Sequence, residues 1–425
     1  MHASLQPRLR PVESFPVPQP GGEVSFALRD PQGFATPILL ALPTAFLASL
    51  MDGRRTFNEI REEFARASGQ SVTCEELEGL ITELDHRLFL DNDRFRQRWK
   101  TEVENYLNNP VRPAAHAGLA YAKDPAELRR QLQETFTGAQ GPGAPRDPTP
   151  AKGNGQGELL GVLSPHIDFR RGGPWFAWAY QKIVEESQAD LFVIFGTAHT
   201  PMTNLFSVSR KHFETPLGTV ETDKKFVARL QAKLAASPVG KNLNLAADEL
   251  AHRREHSIEF QTIYLQHLLG ERRKFAVVPV LVGSFHEFIK RGTDPAESPI
   301  VEAFVSALKQ CAAEHSGRVL YISSGDLAHI GQRFGDRALL DRSRLEEQSA
   351  DDRQLLAAAG RCDPAAFFGH VAAQDDRGRI CGLSPTYTLL KVVEPKRGEL
   401  LKYGQAVEQD ATSCVSFASM AFYGE

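Results

Sequence analysis

The spacing of apolar positions divides this chain into two regimes. From residue 23 to about residue 105 the pattern is short and mostly helical. VSFAL (24–28) alternates apolar and polar positions and predicts a strand, closed by the turn RDPQG. PTAFLASLMDG (43–53), TFNEIREEFARASG (56–69) and TCEELEGLITELDHRLFL (73–90) then predict three short helices. Thr56 with Glu59, and Thr73 with Glu76, fit capping boxes at helix starts. Gly53 and Gly69 stand where helices should stop. Leu77, Leu80, Ile81, Leu84 and Leu88 mark one apolar helical face. A strand with three helices over 23–105 reads as a small winged-helix-like domain.

Beyond residue 157 the pattern changes to strands alternating with helices. GELLGVLSPH (157–166), DLFVIFGTAH (190–199), KFAVVPVLVG (274–283) and RVLYISSGDLAH (318–329) are apolar on both faces, as strands of a covered parallel sheet must be. Helical stretches such as GPWFAWAYQKIVEES, DKKFVARLQAKLAAS and PIVEAFVSALKQCAAEHSG lie between them. This predicts an α/β domain over 113–425 with a mixed, mostly parallel sheet flanked by helices. The last run, SCVSFASMAFYGE, is expected to close that sheet as an edge or antiparallel strand. The proline-rich residues 1–22 are expected to be flexible, and the Gly/Pro-rich residues 137–157 to form an exposed loop.

Composition narrows the function classes. Apolar residues make up 42% and charged residues 24% of 425, the balance of a soluble globular protein too long for one core. A net charge of -4 offers no footprint for a nucleic-acid backbone, and Glu75, Glu76, Glu78, Glu83 and Asp85 on the third predicted helix would repel phosphate. No apolar run reaches the length of a membrane helix, and the opening residues lack a secretory apolar stretch, so a cytoplasmic location is expected. The five cysteines are dispersed without any CxxC pair, which argues against a disulfide framework or a Cys-rich zinc site.

Candidate chemistry gathers at strand ends. His166 follows the first strand of the α/β domain, His199 the second, and Asp326 with His329 the fourth. Ligands of open α/β sheets bind beyond the carboxyl ends of the strands, so these side chains are expected on one rim. Taken singly, a histidine at a strand end is more often a hydrogen-bonded surface or core group than a ligand, and it is the shared rim that favours His166 and His199. The stretch DELAHRREHSIEFQTIYLQHLL is expected to be helical, with Glu255 and Glu259 sharing one face and His252 and His256 another. Its order EHSIE does not fit the HEXXH zinc-protease pattern. The alternatives are a solvated polar edge or a set of groups that orient metal ligands. Cys381, in RICGLSPTY, is either a small buried residue or a soft ligand beside two imidazoles.

Two resemblances sharpen these readings. The LMDGRRTFNEI and LITELDHRLFL stretches resemble winged-helix peptide-recognition domains of the pyrroloquinoline-quinone peptide-chaperone type, with a plain structural or dimerising module as the alternative reading. In the longer domain, SPHIDFRRGG, LFVIFGTAH, FETPLGTVETD, EHSIEFQTIYLQ, FAVVPVLVG, ISSGDLAHIGQRF and ICGLSPTYTLL occur in the order seen in Memo proteins, preceded by HAGLAYAKDPAELRRQL. The resemblance covers about 300 residues. It implies the Memo fold, similar to class III non-haem iron extradiol dioxygenases, and in bacteria a system (AmmeMemoRadiSam) with a radical-SAM protein as partner. The family's metal residues fall on His166, His199 and Cys381. Its Asp and His of the SSDxxH motif resemble Asp326 and His329, although this chain carries a glycine in SSGDLAH. PHAGY becomes PHIDF here, bringing in Asp168, and GPSHH becomes GTAHT.

The resulting expectation is a metal-dependent redox, dioxygenase-like protein holding one transition metal ion (Fe, Cu or Zn) on His166, His199 and Cys381. His256, His329 and Asp326 would handle protons, and Glu255, Glu259 and Asp168 would support the ligands from behind. A cysteine in place of the dioxygenases' glutamate shifts the preference toward copper or zinc. The competing readings are a non-enzymatic scaffold for a peptide or protein partner, and a zinc hydrolase using Glu255 or Asp326.

Overall fold

The computed structural model describes residues 5–19, 23–146 and 157–425. The chain folds as two compact units, Met1–Asn108 and Asn109–Glu425.

In the first unit, strands β1 (Glu13–Pro18), β2 (Val24–Arg29) and β3 (Ile38–Ala41) form an antiparallel sheet in that order. Helices α1 (Leu42–Ser49), α2 (Phe57–Ser68), α3 (Cys74–His86) and α4 (Asp93–Asn108) follow. Both expected capping boxes form, at Thr56–Glu59 and Thr73–Glu76, and Gly69 ends α2 in the left-handed conformation. Gly53 does not cap a helix; α1 ends four residues earlier. Of the opening segment expected to be flexible, the described residues 5–19 are ordered, and 1–4 and 20–22 lie outside the described residues. The described part supplies β1, whose Pro16 and Pro18 are tolerated because an edge strand leaves one row of amides unpaired. It also supplies Arg10, whose guanidinium is buried against Asp30 at 3.1 Å. Ile60, Phe64, Leu77, Leu84 and Phe89 centre the core. Three strands and four helices thus replace the expected one and three. β1 and β3 escape the alternation rule because prolines interrupt one and the other is a continuous apolar ILLA.

The second unit runs through β4 (Val111–Arg112), α5 (Pro125–Thr137), β5 (Leu159–Ser164), α6 (Phe169–Glu186), β6 (Leu191–Thr197), β7 (Phe206–Val208), β8 (His212–Thr215), β9 (Gly218–Val220) and α7 (Lys224–Ala236). It continues through α8 (His256–Leu269), β10 (Ala276–Val282), α9 (His286–Arg291), α10 (Pro299–Ala313), β11 (Val319–Ser324) and β12 (His329–Ile330). It closes with α11 (Arg342–Gly360), α12 (Pro364–Ala372), α13 (Leu383–Val393), β13 (Arg397–Val407) and β14 (Cys414–Tyr423). Of the Gly/Pro-rich segment 137–157, residues 147–156 lie outside the described residues.

The main sheet has the order β12-β14-β5-β11-β6-β10-β7, with β13 along the other edge of β14. The four predicted strands, β5, β11, β6 and β10, are mutually parallel. β14 runs antiparallel to β5 and lies inside the sheet, not at its edge. Burial on both faces follows from the alternation within each strand. Leu191, Val193 and Phe195 of β6 face a core shared with α7, α10 and α13, whereas Phe192 and Ile194 face α5, α6 and α8. β4, β8 and β9 make a separate small sheet. Among the described residues no helix is long and apolar enough to cross a membrane.

Candidate metal centre

The order β5-β11-β6 decides the site. Two residues beyond the ends of these neighbouring strands stand His166, Asp326 and His199, so three functional groups emerge side by side on one rim. The start of α8 ties the three strand ends together. Ser257 Oγ donates to Thr197 O at 2.8 Å, and Gln261 Nε2 donates to Pro165 O at 2.8 Å and to Ser324 Oγ at 2.7 Å.

His166 is buried, and its Nδ1 lies 3.1 Å from the carbonyl of Ser324. A carbonyl only accepts, so Nδ1 carries the proton and Nε2 keeps a free lone pair. That nitrogen faces Cys381 Sγ at 3.2 Å and Asp326 Oδ2 at 3.8 Å. Burial, reinforced by the neighbouring His199, pushes the His166 pKa down to about 3, so the ring is neutral and ready to ligate. The Asp326 carboxylate accepts from the amides of His166 and Ile167 at 2.9 and 3.3 Å. Burial nevertheless raises its pKa to about 6, against the pull of His329 and those amides.

Cys381 reaches the rim through a glycine contact. Gly325, at the end of β11, packs on Gly382 so closely that a Cβ on Gly325 would sit 2.4 Å from the Gly382 Cα. The amide of Gly382 donates to Asp326 O at 2.8 Å, and Thr197 Oγ1 donates to Cys381 O at 2.9 Å. The glycine in SSGDLAH is therefore what admits the cysteine. Burial and the Asp326 charge push the Cys381 thiol well above its usual pKa, and a bound cation would reverse that preference.

His199 is oriented by Glu255, which accepts its amide at 2.8 Å and its Nδ1 at 2.9 Å. Burial would lower the His199 pKa, but the Glu255 carboxylate raises it. Glu255 itself is buried; desolvation is overcome by His199 and then His256, which hold the carboxyl well below the usual range. The His199 side chain remains 39% exposed, which makes it the solvent-facing wall. His256 stacks on His199 with ring centroids 4.6 Å apart and lies 5.1 Å from the His166 ring. Burial keeps His256 neutral by moving its pKa well below the ordinary value.

The expected trio is divided. Among the described residues, two sets of three side chains have ligand atoms within 4.8 Å of one another: His166 with His199 and His256, and His166 with Asp326 and Cys381. His166 joins both sets, while His199 and Cys381 flank it without sharing one. The donor types nevertheless suit a transition metal, since imidazole nitrogen, thiolate and carboxylate are its usual protein ligands.

Other expectations are corrected. The stretch 248–269 is not one helix. A 3-10 segment, Glu249–Arg254, breaks at Glu255, whose extended backbone makes it the N-cap of α8. His252 and His256 therefore share no face. Glu259 is not at the centre but fully buried in an ion pair with Arg112, and it also accepts from Tyr121 and from the amides of Ala115 and His116. Asp168 caps α6 and pairs with Arg171 at 2.5 Å, a role set by helix geometry. His329 stands a step away, its Nδ1 3.1 Å from Leu327 O and its ring edge-on to Phe334; burial lowers its pKa. Sequence reading did not single out Arg112, Tyr121 or His116; the last two lie in the HAGLAYAKDPAELRRQL stretch of the resemblance, which was the signal that could have found them, whereas nothing beside Arg112 marks it.

With this geometry in place, a family model described as Memo-like protein matches residues 112–421. A MEMO1 family protein of Aquifex aeolicus is 31% identical over 408 residues, 95% of this chain and 97% of its own length. One from Thermus thermophilus is 28% identical over 370 residues, 87% of this chain and 99% of its own length. One from Methanopyrus kandleri is 28% identical over 317 residues, 73% of this chain and 98% of its own length.

Proposed function

Because the chain belongs to the Memo-like family, we propose that its second unit is a metal-dependent redox protein whose ion binds Nε2 of His166, with His199 and Cys381 completing its ligands. The observation that carries this reading is the buried, neutral His166 ring with its free nitrogen 3.2 Å from a thiol. A transition metal held there would supply an electron-transfer and Lewis-acid centre.

The remaining chemistry belongs to this chain's own residues. Glu255 fixes the His199 ring so that Nε2 points away from the carboxylate. Asp326, with its pKa near 6, holds or releases a proton near neutral pH, which suits a general acid–base group. Neutral His256, stacked on His199, is placed to hydrogen-bond a group entering past His199. A fold similar to that of class III extradiol dioxygenases, with cysteine replacing a carboxylate ligand, fits a redox rather than a purely oxygen-inserting role. The first unit is read as a winged-helix-like peptide-recognition module that recruits a peptide or a radical-SAM partner, in the cytoplasm.

The test is metal content after anaerobic purification. Stoichiometric Fe, Cu or Zn in the native chain, lost in His166→Ala with the fold intact by circular dichroism, supports the centre. A native chain without any of the three points to a partner-binding scaffold instead. The raised Asp326 also favours a second reading, a zinc hydrolase with Asp326 as base; hydrolysis of an ester and peptide panel by the zinc-loaded protein, abolished in Asp326→Asn, would bring it forward.

A further inference from the structure

We propose that Arg379 is a positioning residue of the centre: it bridges the loop that delivers Cys381 to the turn that begins at His329, and so fixes where the thiol stands against His166. Its bearing on a bound ion rests on the reading of Cys381 as a ligand, but its hold on the thiol does not.

Residues 373–382 join α12 to α13 without helix or strand. Three of them, Asp375, Asp376 and Arg379, adopt left-handed backbone, with φ of 52°, 48° and 52°. Residues other than glycine hold that conformation only where surrounding contacts enforce it. The enforcing contacts run to β12, which is itself anchored on β14. The amide of His329 donates to Gly378 O at 2.7 Å, and Arg379 Nη1 donates to His329 O at 3.0 Å. Arg379 Nη2 also donates to Asp336 Oδ1 at 2.6 Å, while Asp336 Oδ2 accepts the amide of Gly331 at 2.7 Å. One guanidinium thus joins both ends of the 329–336 turn to the residue two before Cys381. On the other side of the cysteine, the amide of Gly382 donates to Asp326 O at 2.8 Å. Of these ties, those to His329 O and Asp336 depend on the Arg379 side chain.

Burial alone would raise the Asp336 carboxyl, but hydrogen bonds from Arg379 and the Gly331 amide hold it below the usual range. The pair is therefore charged at neutral pH. With side chains 39% and 30% exposed, it contributes little to overall stability. Its consequence is local. The loop is strained, and the thiol must stay 3.2 Å from His166 Nε2, so without the bridge the strain relaxes by moving Cys381.

The experiment labels the metal-free full chain with iodoacetamide and follows each cysteine by peptide mass mapping, with exposed Cys74 as the internal reference. Cys381 should react slowly in the native chain. In Arg379→Ala it should react roughly tenfold faster, as loss of a hydrogen bond to a charged group produces in a local opening equilibrium. Arg379→Gly, which relieves the backbone strain, should show the same rise, and Arg379→Lys, able to reach one acceptor at a time, should fall between. Asp336→Asn cuts the bridge from the opposite side and should also speed Cys381, so the result does not hang on one variant folding. Urea midpoints near the native value, with Cys381 alone accelerated, support the bridge. An unchanged Cys381 rate in Arg379→Ala and Asp336→Asn overturns it, as does acceleration of every cysteine together. A rise in Arg379→Ala that is absent in Arg379→Gly also overturns it, since strain alone would then be at work. Co(II), added alone and anaerobically, should protect Cys381 in the native chain and bind about 10- to 100-fold more weakly in Arg379→Ala. A native chain that Co(II) does not protect, but whose Cys381 labelling still depends on Arg379, removes the metal reading and leaves the positioning role standing.

Discussion

Glu255 shows how one side chain governs others at this site. It accepts from the amide and ring of His199 and from the amide of Ser257, so it caps α8 and aims an imidazole at once. Because Glu255 raises the folded-state pKa of His199 above the ordinary 6.5, the pair's stabilisation is complete below that value and fades as pH rises through the folded one. Glu255→Gln is therefore expected to lower the His199 pKa, read from its ring resonances across pH; an unmoved titration would remove Glu255 as the cause. Metal affinity at alkaline pH should fall about 10- to 100-fold in the same variant. Gly325 is the second residue with outsized effect. A methyl there meets the Gly382 Cα at 2.4 Å, so Gly325→Ala must push Cys381 away from His166. The expected cost is about 1–3 kcal/mol of stability, with thiol-dependent metal binding lost; a variant that binds Cu(I) as the native chain does contradicts it.

Among the elements, α8 does the most to shape the centre, and it does so because it is interrupted. A continuous helix from residue 249 would carry Glu255 past His199; the break lets Glu255 cap and ligand-support together. Arg112 holds that break in place. Its guanidinium donates to His252 O at 2.7 Å and to Glu255 O at 2.8 Å while paired with buried Glu259. Removing one partner of a buried pair strands the other charge. Arg112→Leu is expected to destabilise the fold by about 3–5 kcal/mol, measured by urea unfolding. A loss below about 1 kcal/mol would show that the strut is not needed. Helical periodicity alone did not reveal the interruption, since HRREHSIE satisfies a helical pattern throughout, and the partner that enforces the break lies more than 130 residues upstream.

At the scale of the molecule, buried histidines set the acid limit. His252 is fully buried, and burial followed by the Arg112 charge brings its pKa down to about 3. Between that value and the unfolded 6.5 the unfolded chain takes up a proton that the folded one refuses. Stability therefore falls with decreasing pH across this window, by about 1.4 kcal/mol per pH unit for one such group. Urea unfolding from neutral to mildly acid pH should show a shallower dependence in His252→Gln, and parallel slopes would exclude His252 as the source. The sequence by itself determined the α/β alternation, the four parallel strands, both capping boxes and the strand-end placement of His166, His199 and Asp326. These are local, because periodicity and capping are written in neighbouring residues and a strand's end carries its rim position with it. It also marked Cys381 and Glu255 as candidates without saying what each faces. Only the tertiary structure decided that the cysteine meets His166 and Asp326 rather than His199, that His256 stacks beside the site, and that Glu259 belongs to Arg112. Those pairings join residues from about 55 to more than 200 positions apart, where contact depends on strand order and on two glycines packing face to face, and no short-range pattern encodes either.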